Sequence, residues 1–250
     1  MIHYRKHVIL FVLLVFLTDP SVSAEEIRVG LEPLPPLITD EKRGYTIDLL
    51  KEIEKNSGFT FRIIIMNYIR AKKMLKENKL DMIGHVPCGL ETEEFYGYAQ
   101  ELKWNVKTPA DLYVMDKNKL NDIKNLKIGI PSGNEDFAAE ILGVSKEHFY
   151  PGKLENLPKM LQIGRIDAFW FERASTMTTL EKLKISQVYY KQIPAHAVLS
   201  GFAVRKDEKG TERKEKLDAL MQKANPERIF KAYLKYADMP EQGVFELPKK

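Results

Sequence analysis

Nine residues carry groups that could touch a ligand: Glu32, Tyr68, Arg70, His85, Thr92, Ser132, Gly133, Asn134 and Glu172. Arg70 closes Asn67-Tyr68-Ile69-Arg70, which opens a helical stretch just past a β-rich run. A helix start at a strand end stabilises an anion, so Arg70 could face a carboxylate. Ser132-Gly133-Asn134 precedes a second helical stretch, where backbone N–H groups suit a carboxylate or phosphate. Glu172 sits where strand meets helix and could pair with an ammonium group; a helix-start acid favoured by the dipole is the competing reading. His85 lies one residue past an apolar run and offers a hydrogen bond. Thr92 can cap the acidic start Glu93-Glu94. Glu32 begins Glu32-Pro33-Leu34-Pro35-Pro36, a stiff loop at the C-terminal end of the first strand. That is the side of an open α/β sheet on which ligands sit.

No catalytic constellation accompanies these residues. Gly-x-Ser-x-Gly, a Walker loop, His-Glu-x-x-His and paired-cysteine metal spacing are all missing. The five histidines are scattered, and no metal or cofactor is expected. Cys88 is the one cysteine, which excludes an intramolecular disulfide and reads most simply as a small buried residue.

An internal echo organises the elements that must position these groups. Residues 73–83, KMLKENKLDMI, return as residues 159–169, KMLQIGRIDAF. Both read as helix, stop, strand, with Asn78 and Gly164 at the left-handed stop. Arg28-Val29-Gly30-Leu31 is matched in the same order by Lys127-Ile128-Gly129-Ile130. The repeat predicts two similarly built α/β lobes. Strands are expected at 26–31, 59–66, 80–83, 110–115, 127–130, 166–171, 187–190 and 197–204, with an irregular Gly84–Gly89 segment. Helices are expected at 46–56, 68–78, 135–142, 154–163, 174–183, 212–224 and 227–237, with 205–216 as a solvated charged run.

The chain has 250 residues, 44% hydrophobic and 30% charged, an ordinary globular balance with room for two cores. A net charge of +4 is too small for a dedicated nucleic-acid binder. Arg5-Lys6, the apolar run 8–17 and Val22-Ser23-Ala24 read as a cleaved signal peptide over 1–24, the apolar run being half the ~20 residues a bilayer span needs.

The order of features resembles the bacterial extracellular solute-binding protein family 3, the polar-amino-acid type of periplasmic binding protein. The residues that carry the likeness are the Val-Gly strand and Pro-Pro loop, Gly44-Tyr45-Thr46-Ile47-Asp48-Leu49-Leu50, Tyr68-Ile69-Arg70-Ala71, Leu80-Asp81-Met82-Ile83, 126–133 and Gly164-Arg165-Ile166-Asp167-Ala168. The resemblance implies an α/β, two-lobed periplasmic-binding-protein fold (type II), with two crossing strands and a ligand cleft between the lobes. Residues 25–107 and 200–250 would form lobe 1, and 108–199 lobe 2. It implies no enzyme activity and no cofactor. It implies a periplasmic monomer that hands a small polar solute to the membrane permease of an ABC transporter, or reports it to a membrane receptor. A dehydratase-like enzyme on the same fold, using His85, Glu172 and Glu32 as acids or bases, is the remaining alternative. One departure matters: the family's Thr-x-x-Arg, whose arginine grips an α-carboxylate, is replaced here by Thr92-Glu93-Glu94-Phe95. Arg70 or the 132–134 backbone would have to substitute, or the ligand has no carboxylate or is itself cationic. Glu172 stands where the family places an acid for the ligand's amino group.

Overall fold

A computed structural model describes residues 24–247, so the signal-peptide reading lies outside the described residues except for Ala24. In chain order the elements are β1 (Glu25–Leu31), α1 (Tyr45–Lys55), β2 (Phe59–Ile65), α2 (Tyr68–Lys76), β3 (Met82–Pro87), α3 (Glu93–Tyr98), β4 (Ala99–Thr108) and β5 (Ala110–Val114). They continue with β6 (Ile128–Pro131), α4 (Glu135–Leu142), β7 (Phe149–Gly152), α5 (Leu157–Gln162), β8 (Ala168–Glu172), α6 (Arg173–Leu183), β9 (Val188–Gln192), β10 (Val198–Arg205), α7 (Glu208–Lys223), α8 (Pro226–Leu234) and β11 (Gln242–Phe245). Two sheets result, ordered β2-β1-β3-β10-β4 and β11-β9-β5-β8-β6-β7. Each has a parallel βαβ part, completed by antiparallel strands. The architecture is α/β in two lobes, each with its own buried apolar cluster.

The internal echo has a physical cause. In each lobe a strand of the parallel part, β1 or β6, is tied to the echoed aspartate. Asp81 Oδ2 accepts the Arg28 backbone N–H at 3.0 Å, and Asp167 Oδ2 accepts that of Lys127 at 3.0 Å. The aspartate N–H returns the bond to the Arg28 or Lys127 carbonyl. A cation neutralises each: Arg28 Nε lies 2.7 Å from Asp81, and Lys119 Nζ 2.6 Å from Asp167. Burial alone would raise Asp81, but the hydrogen bonds from Arg28 and Arg213 outweigh it and hold the carboxyl well below the usual range. The echoed glycines fit the same joint. A Cβ on Gly30 would meet Leu80 at 2.5 Å, and one on Gly129 would meet Ile166 at 2.6 Å. Asn78 (φ 59) and Gly164 (φ 70) both take the left-handed stop.

Three expectations need correction. The segment after Ile83 is not irregular: β3 runs on to Pro87 because β10 lies antiparallel beside it and supplies partners, with a bulge at Gly201/Phe202 that accommodates the close approach. His85 therefore lies inside a strand. The run 205–216 is solvated over most of its length but not throughout. It enters α7, where Arg213 is buried, with Nη1 2.6 Å from Asp81 and Nε 2.8 Å from Glu25. The C-terminal tail, placed in lobe 1 from the sequence, ends in the other sheet, where β11 pairs with β9.

Candidate functional site

The sheets are joined where β4 passes into β5 at 108–110, where β9 leads to β10 over 192–198, and where α8 leads to β11. A cavity of ≈ 50 Å³ lies beside these joints, lined from both sheets. The first sheet supplies Glu32 and Leu34 after β1, and His85 and Pro87 of β3. The joining strands supply Thr108, Val198 and Ser200, with Ala110 at the start of β5. The second sheet and its turns supply Asn134, Phe137, Trp170, Phe171 and Glu172.

Each polar group in this wall is positioned by a local device. Thr108 Oγ1 donates to the Val198 carbonyl at 2.9 Å and stands 2.7 Å from Ser200 Oγ, so the adjacent strands β4 and β10 present a paired hydroxyl. Trp170 is fixed by its indole N–H, which donates to the Ile193 carbonyl at 2.8 Å. Asn134 is held by its amide, which donates to the Pro131 carbonyl at 2.9 Å. His85 Nε2 lies 2.7 Å from Thr46 Oγ1, and its ring packs beside those of Trp104 and Phe202, while its Nδ1 is buried with no partner among the described residues. Burial pushes His85 down to about 3, so the ring is neutral near pH 7. Glu172 is the N-cap of α6. It accepts the N–H groups of Ala174 and Ser175 at 2.8 and 2.7 Å and the Tyr233 hydroxyl at 3.0 Å. Burial pushes Glu32 up to about 8, against the opposite pull of the Tyr68 backbone N–H and the Asn134 side chain.

Four of the nine residues singled out in the sequence line the cavity: Glu32, His85, Asn134 and Glu172. The other five do not. Arg70 is exposed, on a turn of α2 that faces away. Tyr68, two residues earlier, is buried, and its hydroxyl donates to Glu91 Oε1 at 2.6 Å. Thr92 Oγ1 is occupied by the Phe95 N–H at 3.2 Å as the cap of α3. The 132–134 turn offers no free anion nest: the Ser132 N–H goes to the Gly152 carbonyl, the Gly133 N–H to Glu135 Oε2 and the Asn134 N–H to the Pro131 carbonyl.

The region of the missing arginine holds something else. Glu91 is buried and binds Lys72, whose Nζ lies 3.3 Å from Glu91 Oε2 and 4.6 Å from the centre of the Tyr68 ring. Lys72 Nζ also donates across the cleft to the Gly133 carbonyl at 3.3 Å. Gly133 (φ 99) packs so closely there that a Cβ would sit 2.7 Å from the Ile69 backbone nitrogen. The lobes are thus in direct contact beside the cavity. Cys88 is partly buried, and burial with Glu101 nearby pushes its thiol up to about 12, which keeps it protonated and unreactive. Among the described residues no helix is long and apolar enough to cross a membrane, and no His, Cys, Asp and Glu group is arranged to hold a metal.

Neither a family model nor a curated relative matches the sequence. Solved structures do match the fold. A histidine kinase sensor domain with similarity to periplasmic binding proteins is 16% identical, with a TM-score of 0.70 over 90% of this chain and 99% of that one. An ancestral arginine-binding protein bound to arginine is 21% identical, with a TM-score of 0.68 over 84% and 99%. A putative L-cystine ABC transporter protein from Listeria monocytogenes is 20% identical, with a TM-score of 0.67 over 88% and 100%. The fold is that of the two-lobed periplasmic-binding-protein-like structures.

Proposed function

We propose that this protein is an exported, periplasmic binding protein that captures a small polar solute between its two lobes and delivers it to the permease of an ABC transporter. The observation that carries the reading is the cavity itself, walled by both sheets and by the strands that join them. A ligand there touches both lobes at once, so it favours the closed form over the open one and couples binding to hinge motion. Solved structures of this fold that bind amino acids or belong to ABC transporters support the same reading.

Binding rather than turnover is supported by how two of the three acid–base candidates are engaged. Glu172 already accepts three hydrogen bonds, and His85 is neutral and tied to Thr46. Sensing is the second reading, favoured by the likeness to a kinase sensor domain over 90% of this chain. Recovery of a kinase rather than a permease with the cross-linked protein would select it.

A thermal-shift screen tests capture directly. A solute at 100 times its Kd stabilises the folded protein by about 2.7 kcal/mol. For a chain of this size that raises Tm by roughly 5–10 °C. Absence of any shift across amino acids, amines, carboxylates and neutral polar solutes would reject the reading.

A further inference from the structure

The charges around the cavity restrict what it can hold. Its lining contains two carboxyl groups, Glu32 and Glu172, and no lysine or arginine. Lys72 is near enough to act on Glu32, but its ammonium is engaged by Glu91 and the Gly133 carbonyl. Arg173 is fully buried and committed to Asp111, with Nε and Nη2 both 2.8 Å from its carboxylate. Arg70 lies outside, on the exposed side of α2. A carboxylate entering this cavity would lose its hydration and find no lysine or arginine in the lining to pair with.

A cation meets the opposite situation. Phe137, Trp170 and Phe171 make the wall partly aromatic, and aromatic rings attract a desolvated ammonium. The buried Nδ1 of His85 has no partner among the described residues, and it is an acceptor in the tautomer whose Nε2–H donates to Thr46. The two acids are not equivalent. Glu172 already accepts two helix N–H groups and the Tyr233 hydroxyl, whereas Glu32 is faced only by the Tyr68 N–H and the Asn134 side chain. The volume of ≈ 50 Å³ is far below the roughly 300 Å³ at which pockets for drug-sized ligands begin, so the occupant is small.

We infer that the cavity takes a small organic cation without a carboxylate, a simple alkylamine, with its ammonium against the Glu32 carboxylate. This rests on the solute-capture reading and names its ligand class. Glu135 adds to the burial that raises Glu32, and Lys72, the Tyr68 N–H and Asn134 oppose it. Because Glu32 holds its proton up to about 8, an incoming ammonium must displace that proton. Alkylamines stay protonated to pH ~10. Amine affinity therefore rises about tenfold from pH 6 to 7 and about fivefold from 7 to 8, and levels off above.

Isothermal titration of the purified protein with straight-chain amine hydrochlorides of two to five carbons, at pH 6, 7, 8 and 9, tests this. Propionate, L-alanine and L-arginine serve as comparison probes. The expected result is amine binding with that pH slope, weakened at least tenfold at pH 8 in Glu32→Gln and unchanged in Arg70→Ala. The slope is measured on the unaltered protein, so it stands even if Glu32→Gln misfolds. Binding of propionate or an amino acid with silence from the amines overturns the cation assignment and leaves solute capture intact. Amine binding that is flat with pH, or indifferent to Glu32→Gln, removes Glu32 as the counter-charge. Silence from every probe, together with the neutral solutes of the thermal screen, overturns both.

Discussion

Lys72 offers the sharpest test of how the lobes stay together. Its ammonium makes two kinds of contact: with Glu91 on its own lobe, and with the Gly133 carbonyl on the other at 3.3 Å. Only the second is lost when the lobes part. A hydrogen bond from a charged donor contributes about 1.5–3 kcal/mol, and an exposed ion pair about 0.2–1. The Lys72 contact is long and its side chain is 15% exposed, so about 1 kcal/mol belongs to the closed form, a factor of about five. Lys72→Met alone confounds the measurement, because it strands Glu91, which is 2% exposed and would keep only the Tyr68 hydroxyl. The double variant Lys72→Met/Glu91→Gln removes that charge, and the glutamine carbonyl can still accept from Tyr68. It should bind the cleft ligand about fivefold more weakly and show a larger radius of gyration by small-angle X-ray scattering without ligand, at nearly unchanged urea stability. Equal affinity and identical scattering for the double variant and the unaltered protein would refute the claim that this contact holds the lobes closed.

Two further outcomes follow from buried groups. Arg173→Ala should lower stability by about 3–5 kcal/mol by leaving the Asp111 carboxylate unpaired, and Arg173→Leu/Asp111→Leu should recover most of it in urea unfolding; a double variant no better than the single would mean that the stranded charge is not the cause. His85, held down to about 3, is neutral when folded, whereas in the unfolded chain it protonates near 6.5. Its contribution is therefore complete above about pH 6.5 and is lost as pH falls from there toward 3. Urea titrations at pH 7, 5.5 and 4 should show a shallower decline for His85→Phe than for the unaltered protein, and parallel declines would exclude His85 from the acid limb.

What could be read ahead of the structure was local. Gly30 and Gly129, Asn78 and Gly164, and Asp81 and Asp167 each answer a backbone demand within one βα joint, and such demands leave a repeated residue type at a repeated spacing. Strand ends were legible for the same reason, and Glu32 and Glu172 stand at two of them, whereas His85 lines the cavity from inside β3 and Asn134 from the cap of α4. The hydroxyl pair Thr108–Ser200 was missed, since it forms between strands 92 residues apart and shows in the sequence only as one serine interrupting the apolar run 197–204. Arg70 misled for a rotational reason. Tyr68 and Lys72 are four apart on α2 and share its inward face, whereas Arg70 lies between them on the opposite side. Thr92 and Gly133 were placed correctly at turns, but a hydroxyl that caps Phe95 and an N–H that binds Glu135 have little left for a ligand.

Glu172 and Arg173 show why adjacent residues of one segment need separate readings. Glu172 faces the cavity, yet its carboxylate joins α6 of the second lobe to Tyr233 of α8. Arg173 points the other way, into Asp111, and its Nη1 donates to the carbonyls of Tyr236 and Met239 at 3.1 Å each. Together they fasten the last turn of α8, at Tyr233, and the stretch after it, at Tyr236 and Met239. Phe171 and Ala174 extend the first lobe's apolar cluster to this place, packing with Phe230 and Tyr233. The third passage between the lobes is therefore anchored to the second lobe before β11 begins. Any opening of the cleft that keeps these contacts must carry Tyr233 and the stretch after α8 with the second lobe, and bend the chain at 108–110, at 192–198 and ahead of Tyr233. A ligand on the cavity wall formed by Glu172 would sit one residue from that anchor, next to the joints that such an opening would bend.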